Sequence, residues 1–259
     1  MPRDSESIKG RLILLANHLQ GKCSIPDCGR PTMRAAGLGL SEFHCRYHVQ
    51  FRARHGSHWC PTYKATDIKP YLASAAAHIK EHREETFIAH AILGLQGLLD
   101  GSGPALPVQD TKSRSATFRS RVAFARLREA GVEPQRLLAN HMAVTALMAD
   151  DAGSHRVQEF QIVQIAKAAH RLASGTHRHW EWPLQDGTFA PLEFHAYPKS
   201  SGRVLRIMGK EIDEICAGVT ERDLQTVRDR KMALFGPHPS RLPGWKPLWQ
   251  RKREVAQNK

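Results

Sequence analysis

The sequence predicts a mainly α-helical protein: a small N-terminal module bearing cysteines and histidines, then a multi-helix domain interrupted by one short β-hairpin. Three observations lead there. Apolar residues recur at helical spacing along most of the chain, four of the five cysteines fall between residues 23 and 60, and only residues 180–197 combine dense aromatics with a turn signal. The divisions expected are 1–65 (leading helix and module), 66–100 (one long helix), 101–110 (linker), 111–240 (helical domain with the hairpin) and 241–259 (basic tail).

The elements follow in order. Ile8, Leu12, Leu15 and Leu19 keep one helical face over Ser7 to Gln20. The turn formers Pro26, Asp27, Gly29 and Pro31 then curl the backbone around Cys23 and Cys28, and Ser41 with Glu42 can open a helix that carries Cys45 and His48. From about Thr66 a helix is expected to reach Asp100, with Pro70 tolerated in its first turn and Ile79, Phe87, Ala91 and Leu95 on one stripe. Gly, Ser and Pro in Asp100 to Pro107 stop it. Three helices are expected next, at about Ser115 to Ala130, Pro134 to Ala149 and His155 to Ser174. Gly131 ends the first, and Pro134 suits the first turn of the second. Leu137 to Met148 is too apolar to read a DNA groove, so it is expected in the core. Gln185 to Gly187 turns a hairpin, and helices return at about Val204 to Ala217 and Thr220 to Leu234. In the last of these, alternating charges predict a solvated, salt-bridged face.

Cys23, Cys28, Cys45 and His48 stand in the order C-x4-C-x16-C-x2-H. Thiolate sulfur and imidazole nitrogen suit a borderline-soft, redox-inert Zn²⁺, and four protein ligands leave no position open for a catalytic water. The site predicted is structural, and the module around it is a small zinc-binding one. The fourth ligand has rivals in Cys60, His44, His55 and His58. His48 is preferred because it shares a helical face with Cys45, and Cys60 is its main competitor. The alternative to metal is a set of unligated buried thiols.

With those residues in place, residues 21–60 resemble the short treble-clef-like zinc modules with the pattern C-x4-C-G-R-P, a variable loop, then C-x2-H and an arginine-rich helix ending in His-Gly. Such modules recur in bacterial and phage proteins, some of them DNA-binding accessory factors and some HNH-type endonucleases. The resemblance implies Cys23, Cys28, Cys45 and His48 as ligands, with Arg46, Arg52 and Arg54 as a basic flank.

Lys and Arg number 38 against 25 Asp and Glu, a net charge of +13, and a polyanion is the partner that such an excess predicts. The positive charge is clustered. Arg46, Arg52, Arg54, Lys64 and Lys69 surround the module; Lys112, Arg114, Arg119, Arg121, Arg126 and Arg128 follow the Gly/Pro break; Lys246, Arg251, Lys252 and Arg253 lie in the tail. The second cluster reads alternatively as a solvated helix face. Phe43, Tyr47 and Phe51 at i, i+4 and i+8 are expected as the apolar seam of the module, ahead of a base-stacking platform.

The function expected is therefore a zinc-stabilised nucleic-acid-binding protein, with DNA taken ahead of RNA, acting as an accessory factor of a phage or mobile element. A protein-binding scaffold of the same element is one alternative, and a metal-dependent HNH-type endonuclease is another. The chain has no phosphate loop, nucleophile elbow or dinucleotide fingerprint. His177 and His179 form a lone H-x-H, read as exposed polar residues at a turn. No segment is apolar for long enough to span a membrane, and MPRDSESIKG is unlike a signal peptide. A cytoplasmic protein with reduced thiols is expected.

Overall fold

The computed structural model describes residues 21–33, 40–111, 113–173, 177–195 and 202–246, the hairpin strands through their backbone. The helix expected at Ser7 to Gln20 and most of the basic tail, Arg251, Lys252 and Arg253 included, lie outside the described residues. The chain divides into two compact units, residues 1–62 and 63–259. The smaller contains one described helix, α1 (Arg46–His55).

The larger unit is built on helices α2 (Ala65–Glu81), α3 (Thr86–Asp100), α4 (Val108–Thr111), α5 (Ala116–Glu129), α6 (Pro134–Asp150), α7 (Gln158–Leu172), α8 (Gly202–Ile215) and α9 (Glu221–Phe235). Strands β1 (His177–Pro183) and β2 (Phe189–His195) pair antiparallel, as the aromatic segment predicts. Gly187 at φ 79 and Asp186, which accepts hydrogen bonds from the Thr188 backbone N–H and hydroxyl, shape their turn. Among the described residues no helix is long and apolar enough to cross a membrane.

Helix α6 is the centre of this unit. It buries residues around its whole circumference, from Leu137 and Leu138 through Met142, Ala143, Val144 and Leu147, and α2, α3, α7, α8 and α9 all pack on it. Its apolar run is thus a core helix, as expected. The entry to it also follows the local chemistry: Ser115 caps α5 by accepting from the Phe118 N–H, Gly131 at φ 68 closes its C-terminus, and Pro134 is the first residue of α6.

The single helix expected over 66–100 is two. Residues 82–85 form a turn in which the His82 N–H bonds the His78 carbonyl, the Glu85 N–H bonds the His82 carbonyl, and the two side chains meet at 2.7 Å. Charged, helix-compatible residues fill this break, so it carried no breaker signal. It also resets the apolar face: α3 buries Ile88, Ala91, Leu95 and Leu99, while Phe87 is 63% exposed. Residues 101–107 connect α3 to α4 inside the larger unit, where the Arg128 guanidinium donates to the carbonyls of Leu99, Asp100 and Gly103. The end of α3 is therefore tied down by a cation on its last carbonyls.

The charges expected on a solvated face of α9 divide, with Glu221, Arg222 and Asp229 exposed and the others turned inward. Arg228 pairs with Asp150 at 2.8 Å, Arg230 with Glu81, and Asp223 with His78 at 3.2 Å, while Lys231 is buried, donates to the Gly236 carbonyl and lies over the Tyr71 ring. Arg228, Arg230 and Asp223 thus bridge to α2 and α6 across the packing seam. A second buried pair, His141 Nε2 donating to Asp213 at 2.9 Å, ties α6 to α8, with Gln161 adding a bond to the same carboxylate. The bond from His141, with lesser help from Gln158 and Gln161, holds the Asp213 carboxyl below its ordinary range against burial.

Helices α7 and α8 approach so closely that a Cβ at Gly209 would fall on the Ile162 backbone carbonyl. Gly209→Ala is expected to cost about 1–3 kcal/mol, from overpacking against backbone that cannot rotate away, read as a lower denaturant midpoint with unchanged slope. Asp213→Asn removes an ionised acceptor from a buried pair and is expected to cost about 1.5–3 kcal/mol at neutral pH. Because the folded carboxyl is depressed, its contribution is complete above the ordinary carboxylate range and fades as pH falls through the folded value. The variant should therefore lose the acid-side slope that this group gives the wild type in pH-dependent melting.

Candidate metal centre

The centre begins with a knuckle. The Cys23 N–H bonds the Arg30 carbonyl at 2.8 Å, the Thr32 N–H bonds the Gly21 carbonyl at 2.9 Å, and Lys22 bridges Pro31, so residues 22 and 31 are held side by side. Between them the chain reverses through Asp27 and Gly29, both at φ 60. Glycine is the residue that tolerates this conformation without strain, and Asp is one of the few others that visit it. The Cys28 N–H bonds the Ile25 carbonyl at 3.1 Å, turning the second sulfur back toward the first.

The other two ligands come from the start of α1. Cys45 is its N-cap, at φ −74 and ψ 163, and His48 lies three residues on, so the helix begins at this candidate ligand rather than at Ser41. The knuckle meets this segment through the Ser24 N–H, which bonds the Phe43 carbonyl at 2.8 Å.

The ligand atoms of Cys23, Cys28, Cys45 and His48 all lie within 4.8 Å of one another, a group that can hold a metal ion. Cys28 and Cys45 sulfurs are 3.7 Å apart, and His48 Nδ1 is 3.3 Å from the Cys23 sulfur and 3.5 Å from that of Cys45. Tetrahedral bonds of about 2.3 Å to sulfur and 2.0–2.1 Å to nitrogen separate two sulfurs by ~3.8 Å and a sulfur from a nitrogen by ~3.6 Å. The separations match a single ion at the centre.

Electrostatics favour the ligand forms unequally. Burial raises the Cys45 thiol, but hydrogen bonds from the His48 and Tyr47 N–H groups at the helix start, and from Cys28 and Cys23, outweigh it and leave the group below its ordinary value. Burial pushes the Cys28 thiol up to about 11, so a cation is needed to keep that sulfur as thiolate at neutral pH. Burial first, and then the Arg30 charge, lower the His48 imidazole and hold it in the neutral form that binds metal.

The rivals for the fourth position lie outside this group. Cys60 is buried but lies outside the four-ligand group, and its N–H bonds the Ser57 hydroxyl. His44 bonds Ser41 and stacks on His58 at 3.6 Å, while His55 bonds Thr62 at 2.7 Å.

Helix α1 buries none of its residues, and Arg46, Arg52 and Arg54 are all exposed. The seam expected from Phe43, Tyr47 and Phe51 is not a core: Phe43 and Tyr47 are 49% and 52% exposed. Phe51 is half-buried, 4.2 Å from the His55 ring, and the i, i+4 spacing is the same whether or not a face is covered. Arg30 lies 4.9 Å from the centre of the Tyr47 ring, a cation the sequence reading passed over although it sits in the knuckle itself.

Elsewhere the expected contacts divide. Lys64 and Lys69 are exposed on the larger unit, Lys64 as the N-cap of α2. On α5 and just before it, Arg121 and Arg114 are exposed, the latter over the Phe118 ring, and Arg119 is half-buried. Lys112 lies outside the described residues. Arg126, expected as a phosphate contact, is instead only 7% exposed, among the buried residues of α5 with Phe124 and Leu127. Arg128 is spent on the carbonyls that end α3.

Fold and site together define a mainly helical protein with a Cys3His cluster that can hold a metal ion. No family model matches the chain, and neither a curated protein nor a solved structure matches it.

With the protein loaded with Co²⁺, His48→Ala, Cys23→Ser and Cys45→Ser are each expected to lose the tetrahedral thiolate-to-cobalt band. Cys60→Ser should retain it at full intensity; loss in Cys60→Ser alone would reassign the fourth ligand.

Proposed function

We propose that residues 21–62 are a zinc-stabilised nucleic-acid-binding module, with DNA as the preferred ligand, and that the protein is an accessory DNA-binding factor of a phage or mobile element. The observation that carries this reading is α1. It starts on two ligands of the cluster, carries three exposed arginines and no acidic residue, and buries nothing. Zinc is the ion that the Cys3His donor set and its separations favour.

Zinc would hold the helix that a core does not hold, and Arg46, Arg52 and Arg54 would contact phosphates. Exposed Tyr47 with Arg30 beside it adds a flat apolar surface among cations, which suits bases as well as backbone. Arg114 and Arg121 supply a further basic surface on the larger unit. The mobile-element setting rests on the likeness of the sequence module alone.

A protein-binding scaffold is the second reading. Met232, Leu234, Phe235 and Leu242 are each at least half exposed over the end of α9 and the turn beyond it, a run of apolar surface that phosphate contacts do not account for.

Electrophoretic shifts on random duplex and single-stranded DNA at several salt concentrations test the proposal. The affinity should fall with a log–log slope of several units. Arg52→Ala with Arg54→Ala should reduce that slope by about 2, and metal chelation should abolish the module's share. A flat salt response, together with a stoichiometric protein complex that survives nuclease treatment, would replace this reading with the scaffold.

A further inference from the structure

The aromatic surface of the smaller unit narrows the nucleic-acid reading: we propose that Tyr47, Phe43 and Trp59 form a base-stacking platform, and that the module's ligand is single-stranded DNA rather than duplex. The inference rests on the proposed function and names the form of DNA it takes. Tyr47 is 52% exposed, Phe43 49% and Trp59 46%. Rings of this size kept half in water forgo burial energy, and contact with phosphate does not recover it.

Helix α1 sets Tyr47 among cations. Residues three, four and seven apart share a helical face, so Tyr47, Gln50 and Arg54 lie along one stripe with Arg46 at its edge, and all four are exposed. From the knuckle, the exposed Arg30 guanidinium comes within 4.9 Å of the centre of the Tyr47 ring. His48 meets the same ring edge-on at 5.1 Å, so one of the candidate metal ligands also positions the aromatic surface. The other two rings are brought in by a second contact. His44 and His58 stack at 3.6 Å with their planes 4° apart, which joins the chain just before α1 to the chain just after it. Phe43 and Trp59, the sequence neighbours of that pair, therefore sit on segments that touch.

Charge and aromatic area together select the ligand. Among the described residues of this unit Lys22, Arg30, Arg46, Arg52 and Arg54 stand against Asp27 and Glu42, so the surface is complementary to a polyanion. In a duplex the bases are stacked on one another and keep their faces from a side-chain ring. In a single strand each base offers an open π-face, and an aromatic side chain among cations takes up both the base and its phosphate.

Anisotropy of labelled oligothymidylate, alone and annealed to oligoadenylate, on the full-length zinc-loaded protein tests the platform. The single strand is expected to bind tighter than the duplex by about ten-fold or more. Tyr47→Ala should weaken the single strand roughly 5- to 150-fold, the range of one lost stack, and leave its salt slope unchanged because no charge is removed, whereas Tyr47→Phe should keep wild-type affinity. Phe43→Ala with Trp59→Ala should also weaken the single strand and spare the duplex. Equal affinity for strand and duplex overturns the platform, as does Tyr47→Ala binding like wild type with its Co²⁺ thiolate band intact; in either case a steep salt slope leaves the phosphate-binding reading standing. A flat slope on both ligands removes that reading and the platform with it.

Discussion

Convergence of four ligand atoms within 4.8 Å is the constraint on which the smaller unit depends. Among the described residues, nothing else there does the work of a core. Its buried residues are the ligands Cys23 and Cys45, with Cys60 and small polar neighbours such as Ser24 and Ser57, and α1 buries no side chain. The described residues bury little apolar area against the entropy of ordering their backbone, and cross-linking through an ion is a physical route open to them. The knuckle geometry and the cap at Cys45 both bring donor atoms to that common centre.

The larger unit solves the same problem in the ordinary way, with apolar burial around α6, and then adds polar pairs at its seams. His78 with Asp223, His141 with Asp213, and Tyr71 with Asp150 and Arg228 each join two or three helices. Apolar packing is tolerant of small rotations, whereas a buried donor must meet its acceptor within a few tenths of an ångström or lose most of the gain. These pairs fix which helix faces which, a specificity that Leu and Ala alone would leave loose.

Much of this was legible where the chemistry is local. The Cys and His spacing, the Gly131 stop, Pro134 at the start of α6 and the Asp-Gly turn of the hairpin each act within a few residues of themselves. What escaped the sequence is what depends on distant partners. Lys231 looks solvated until Tyr71 and Gly236 are placed beside it, and Arg126 looks available until α5 is docked by its Val122, Phe124 and Leu127 side. Tyr47 was misplaced for a related reason, since periodicity tells which residues share a face but not whether anything covers it.

The turn at residues 82–85 settles how the larger unit can be assembled at all. An unbroken helix from 66 to 100 would run about 52 Å, well beyond the roughly 30 Å diameter of a small domain, and would leave one end without anything to lie against. Folding the rod in half lets both α2 and α3 reach α6, so two short arms clasp a central helix that one long arm could only cross.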